Sequence, residues 1–358
     1  MKKIDLYIIK RYLATFFVML LLFIPIGIMV DVAEKVDKFK ENEVPLTDIF
    51  SYYIDFTWYF GSILFPIFLF LAVIWFTSKL ANNSEVIAIL SSGISFYRFL
   101  RPFMISALLI ATFAFFSGMY IVPESNKGYN EFHFKHLTKK KNDRQTTNLF
   151  KQINENEYIY VSSYDPIRKR GIDFTLEHFN ENNLKFKIFA QSIRWVDKDS
   201  FFRMVNYSRR SFLLDKEDYI TESRKDTIFD FEISDLAPLK YKAETLKYKE
   251  LNSFINQETR SGSTLINTHL LVRHKRWSIP FSVFVLTIIA VSVSSFKRRG
   301  GMGVNLAFGI ALGFLFIFFD KIFGVLVTKA SFSPIVGAWF PIALFGVLAF
   351  ILLRYAKR

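Results

Sequence analysis

Asp320 and Lys321 stand side by side inside the apolar run Val304–Val327. A charge within hydrocarbon is costly, so it either serves a bound or moving charged group or hides against a partner. The pair therefore reads as a functional intramembrane charge, or as two residues near the interface with the Lys321 stem snorkelling to water. Asp55 lies near the end of another apolar run, where reach to the interface already explains it. Glu85 heads a third constellation, Ser84-Glu-Val-Ile-Ala-Ile-Leu-Ser-Ser-Gly93. Ser84 suits an N-cap, Glu85 a first turn where the helix dipole favours an anion, and Gly93 the C-terminal cap. Val86, Ile89 and Leu90 fall on one face at i, i+3, i+4. Such a helix docks into the groove of a partner, or lies on the bilayer surface; the residues alone leave both open. In Asp31–Lys40, acids alternate with Lys35, Lys38 and Lys40. That pattern is either a solvated helix end or a set of ammonium groups facing anionic headgroups.

Other chemistry is excluded by what is missing. The chain has no cysteine, so it has no disulfide, thiolate metal site or thiol nucleophile. It contains no G-x-x-x-x-G-K-[ST], no H-E-x-x-H and no G-x-S-x-G, so no P-loop binds ATP here and no hydrolase motif is present. Of its five histidines, His133 and His136 are neighbours in sequence and read as an ordinary polar helix face. No catalytic residue, metal or cofactor is expected. Gly309-x-x-x-Gly313 lets two helix backbones approach closely, within this chain or across to another.

The elements that must position these residues are long and apolar. The chain of 358 residues is 51% hydrophobic and carries 43 Phe, concentrated in blocks. A bilayer core needs about 20 mainly apolar residues per helix. Six blocks qualify: Tyr12–Val32, Tyr53–Lys79, Pro102–Val122, Trp277–Phe296, Val304–Val327 and Pro334–Leu353. Their short flanks carry the basic residues on one side: Lys2, Lys3, Lys10 and Arg11; Lys79, Arg98 and Arg101; Lys297, Arg298 and Arg299; Arg354, Lys357 and Arg358. The positive-inside rule puts both termini in the cytoplasm and the long segment after the third span outside. The net charge of +14 is thus a membrane signature. No basic helix or aromatic RNA-binding motif accompanies it, so nucleic acid is not an expected partner.

The outside segment alternates short β-branched and aromatic runs with turn signals: Tyr158–Val161, Ile172–Phe179, Leu184–Ala190, Ile193–Val196, Phe201–Tyr207 and Thr227–Ile233. A sandwich, jelly roll or open barrel fits that spacing. Leu246 to about Glu258 then reads as an amphipathic helix through Leu251, Phe254 and Ile255. The expected architecture is a membrane α-helical protein of six spans, three and three, with an inserted jelly-roll-like all-β domain. Its boundaries are 1–123, with the short helix at about 84–93, then 124–270 and 271–358.

The stretch Ser84-Glu85-Val86 through Gly93-Ile94-Ser95, then Arg101-Pro102, Val122-Pro123-Glu124 and Asn130-Glu131, resembles the LptF/LptG family of lipopolysaccharide-export permeases. So do His274-Lys-Arg276 with Pro280, Asp320-Lys-Ile-Phe-Gly324, Pro334-Ile-Val-Gly337 and Trp339-Phe-Pro341, with the Asp320–Gly324 run closer to the LptG side of the family. The resemblance covers all six spans; the β region matches in position and character. It implies a permease subunit of an inner-membrane ABC transporter that pairs with a second LptF/LptG-type subunit around a cavity for lipopolysaccharide. It further implies a cytoplasmic LptB-like ATPase dimer docking at Ser84, Glu85, Val86, Ile89, Leu90 and Gly93, and a periplasmic bridge of LptC/LptA-like proteins. Candidate headgroup contacts are Lys35, Lys38, Lys40, Lys127 and Lys321. The family's lysine at the outer end of the first span falls here on Glu34, with Lys35 next to it. Two rival readings stand beside this one: an envelope scaffold or sensor anchored by its spans, and an ion-coupled transporter using Asp55 and Asp320.

Overall fold

Backbone amides within hydrocarbon find no water, so each apolar block must close its hydrogen bonds within itself, and a helix does so. All six blocks do. A computed structural model of the chain describes residues 3–137, 147–165, 168–181, 183–196, 201–213, 216–229, 231, 241–263, 265–296, 301–329 and 332–356. Helices α1 (Lys3–Glu41) and α2 (Leu46–Asn82) form the first two spans, and α4 (Phe96–Phe116) begins the third. A π turn (Ser117–Ile121) joins α4 to α5 (Val122–Phe132), and a second π turn (His133–Leu137) follows. The last three spans are α8 (Ile266–Ser294), α9 (Gly301–Lys329) and α10 (Pro334–Ala356). Most helices outrun their apolar blocks because polar flanks, such as Asp31–Glu41 in α1, continue the same backbone hydrogen-bond ladder. The basic residues Lys2, Lys297–Arg299, Lys357 and Arg358 lie outside the described residues.

The chain divides into two compact units: residues 1–137, 244–248 and 267–358 make one, and 138–243 with 249–266 the other. The helical unit closes around large side chains. Tyr12, Phe16, Leu69, Phe70, Phe103 and Leu286 are buried in one cluster drawn from α1, α2, α4 and α8. Its polar groups are tied across helices: the Tyr12 hydroxyl lies 3.0 Å from Thr287 Oγ1. Arg98 donates to both oxygens of the buried Asp5 at 2.7 and 2.8 Å, locking the foot of α4 to α1. The Gly309-x-x-x-Gly313 pair serves this same chain. A Cβ on Gly309 would collide with Ile74 of α2, and one on Gly313 would stand 3.3 Å from Ile67. The two glycines thus let α9 lie close against α2.

The second unit holds one six-stranded sheet, antiparallel throughout, with strands in sequence order. These are β1 (Thr147–Asn154), β2 (Glu157–Asp165), β3 (Arg170–Asn180), β4 (Asn183–Val196), β5 (Phe201–Leu213) and β6 (Lys216–Thr227). Val161, Phe174, Ala190 and Phe202 are buried on one face with Phe229 and Phe231 packed over them. The inserted domain is β as expected, and three readings of its strands are corrected. Leu184–Ala190 and Ile193–Val196 are one strand, β4, because the intervening Gln191 and Ser192 keep the ladder. β1 and β6 carry too few alternating apolar residues to be legible; β6 is almost wholly polar and exposed. The expected strand Thr227–Ile233 only begins where β6 ends: Ile228 and Phe229 leave the ladder, and Asp230, Glu232 and Ile233 lie outside the described residues. After a short helix α6 (Lys242–Thr245), the amphipathic helix forms as α7 (Tyr248–Arg260), burying Leu251 and Ile255.

Candidate functional site

Within the helical unit a cavity of about 530 Å³ opens between α2, α4, α8 and α9. Apolar side chains line its wall, among them Phe65, Phe113, Ile279 and Phe316. Its charges gather where α8 begins and α9 ends: Lys275 and Arg276 from α8, Asp320 and Lys321 from α9, and Glu244 from α6. Antiparallel neighbours explain this gathering, because the start of one helix lies beside the end of the next. Lys275 Nζ meets Asp320 Oδ2 at 2.7 Å. Arg276 is buried and donates through Nη2 to the Leu246 carbonyl at 2.6 Å. Glu244 opens onto the cavity yet is ringed by protein atoms. That desolvation raises its carboxyl above the usual range, against the pull of Lys321, Lys275 and Arg276. Lys321 is exposed to the cavity and makes no ion pair among the described residues. Asn126 of α5 adds a buried Oδ1 without a hydrogen-bond partner among the described residues. Three cations against two carboxylates over an apolar wall can hold an amphiphile by its anionic head.

The lysines expected to contact a headgroup separate. Lys321 alone lines the cavity. Lys35 is held by Asp31 and the Tyr52 hydroxyl, with the rings of Tyr52, Phe56 and Tyr129 within 5.1 to 5.9 Å of its Nζ. Those rings belong to an aromatic cluster that also buries Phe39 and Phe132 and fixes α1 to α2 and α5. Lys38 and Lys40 at the end of α1, and Lys127 on α5, are exposed away from the cavity lining. Asp55 stands against Gly128 of α5, likewise outside the lining. Lys275, Arg276 and Glu244 were not legible as site residues. Lys275-Arg276 read as an ordinary basic flank, and the signal that singles it out is its level opposite Asp320 on the adjoining span.

The short helix forms as α3 (Glu85–Ser91). Gly93 has φ of +85°, the left-handed backbone that favours glycine after a helix. Ser84 holds the N-cap place without a side-chain cap: its φ is +61° and its hydroxyl accepts nothing from the helix. That backbone turns the Oγ away from the first-turn amides. Glu85 accepts instead from Tyr7 at 3.3 Å and from Asn83 at 3.1 Å. Val86 is buried, and Ile89 and Leu90 pack on the bundle core. The apolar stripe read from the sequence therefore faces inward, and Ile87, Ala88 and Ser91 form the exposed side.

The sequence profile of the family described as "Lipopolysaccharide export system permease LptF/LptG" matches residues 6–355. The chain is 23% identical over 298 residues to the lipopolysaccharide export system permease protein LptG of Escherichia coli (strain K12), covering 81% of each. It is similar to the same degree and over the same share to the LptG protein of Escherichia coli O6:H1 (strain CFT073).

Proposed function

The chain belongs to the LptF/LptG family of lipopolysaccharide export permeases, and from that premise we propose that it takes lipopolysaccharide from the inner membrane into the cavity between α2, α4, α8 and α9. The observation that carries this reading is the unpaired Lys321, beside Lys275 and Arg276, above an apolar wall. An anionic headgroup meets the cations and acyl chains meet the wall. The volume is that of a small-ligand site, less than a multi-acyl glycolipid fills. This supports a cavity completed by a second LptF/LptG-type subunit. With no P-loop in the chain, ATP hydrolysis falls to a separate LptB-like dimer. That dimer docks on the exposed side of α3, both termini lie in the cytoplasm, and the β unit lies in the periplasm and hands the lipid to LptC/LptA-like bridge proteins.

Lys321→Glu tests the carrying observation. Lipopolysaccharide co-purifying with the permease complex in mild detergent is expected to fall about tenfold, the equivalent of about 1.4 kcal/mol. Unchanged lipid in Lys321→Glu would remove the cavity from the pathway.

A further inference from the structure

The sheet carries a row of charges that the cavity does not use. In register across five strands stand Asp165, Arg170, Arg194, Arg203 and Asp226, each directly opposite the next. The adjoining row, Tyr164, Gly171, Ile193 and Met204, is the buried one, so the arginines point to the other face. Arg203 is neutralised by both oxygens of Asp226, at 2.9 and 3.0 Å. Asp165 faces Arg168 at 3.9 Å. Arg170 and Arg194 are exposed, opposite one another, and make no ion pair among the described residues. Like charges directly opposite on a sheet destabilise it, and nothing in the core requires them there. Exposed Ile172 and Val205 lie two residues along on the same face.

We infer that Arg170 and Arg194, with Arg203 beside them, form a phosphate-binding row on the outward face of the sheet, and that its occupant is the phosphorylated sugar headgroup of a glycolipid. Adjacent strands lie about 4.8 Å apart, so two neighbouring guanidinium forks straddle one tetrahedral phosphate and the row of three spans about 10 Å. Arginine at all three positions favours planar, two-pronged contacts to oxyanions over the point charge of lysine. The apolar neighbours Ile172 and Val205 favour an amphiphile over a free ion. Anion binding here stands by itself; its assignment to a glycolipid rests on the export reading.

The cysteine-free chain allows a local readout. Val205→Cys in the full-length protein, labelled with an environment-sensitive fluorophore in neutral phosphatidylcholine nanodiscs, is titrated with a deacylated bisphosphorylated glucosamine disaccharide. A saturating signal is expected, weakened about tenfold or more in Arg170→Gln/Arg194→Gln. The double variant should melt no lower than its parent, because it removes a repulsion. An equal affinity in the double variant, or no signal, overturns the site. Inorganic pyrophosphate binding as tightly as the disaccharide overturns the glycolipid occupant, as does tighter binding of poly-glutamate. Lys321→Gln separates the two readings: an unchanged signal places the binding on the sheet whatever becomes of export, and a lost signal overturns the row.

Discussion

Lys275 and Asp320 are partners whose single removal differs from joint removal. At 2.7 Å, and about a quarter exposed, each shields the other's charge within an apolar wall. Lys275→Gln alone leaves the carboxylate uncompensated, Asp320→Asn alone frees the ammonium, and the double change leaves two neutral polar groups. A double-mutant cycle on thermal unfolding in detergent is expected to give a coupling of about 1–2 kcal/mol, with the double variant more stable than Lys275→Gln. At Asp226 the consequence is pH dependence. The hydrogen bond from Arg203, then its charge, holds this carboxyl below its ordinary 3.8. The unfolded chain therefore binds the proton more readily. The stabilisation is full above 3.8 and is lost as the pH falls through the lower folded value. Thermal unfolding between about pH 5 and pH 3 should lose less stability in Asp226→Asn than in the parent.

The short helix α3 separates two kinds of residue that sequence spacing joined. Val86 is buried and Ile87 is 54% exposed, one position apart. Val86→Ala is expected to cost about 1–3 kcal/mol of stability. Ile87→Asp should leave the melt within about 0.5 kcal/mol, yet reduce co-purification of the ATPase. Equal ATPase recovery in Ile87→Asp would show that the exposed side is not the docking side. The helix itself was legible from Glu85 and Gly93, because caps and charge are local. Which neighbour took its apolar stripe was not, since Val86, Ile89 and Leu90 suit any apolar surface. The same limit governs Gly309 and Gly313, whose spacing announces a close approach without naming the helix approached. It governs Lys275 and Asp320 too, 45 residues apart in sequence and one ion pair in space. The spans were legible because hydropathy over a whole helix is a large sum. The polar strand β6 was not, because its ladder is made by backbone atoms that every sequence shares.

For the whole molecule, the direction of the bundle follows from charge, and the chain supplies its own means of testing it. With no native cysteine, Asn83→Cys before α3 and Lys127→Cys on α5 both offer exposed sites. A membrane-impermeant maleimide applied to sealed, right-side-out membranes should label Lys127→Cys and spare Asn83→Cys until the membrane is permeabilised. Labelling of both before permeabilisation would overturn the orientation. Lys127 is the better outer site than the neighbouring Ser125, which is buried.

The two π turns bracketing α5 give the third span an adjustable length. A π turn is an α-helix with one residue too many, and its surplus can pass from one turn to the next by exchanging a few hydrogen bonds. Each such step would screw Val122–Phe132 by about 100° without unwinding it. Pro123 and Asn126, which line the cavity, ride on that segment, and so does Tyr129 in the aromatic cluster around Lys35. The helix that walls the cavity is thus built like a threaded sleeve between two slack joints, and a quarter-turn of it exchanges the side chains facing inward.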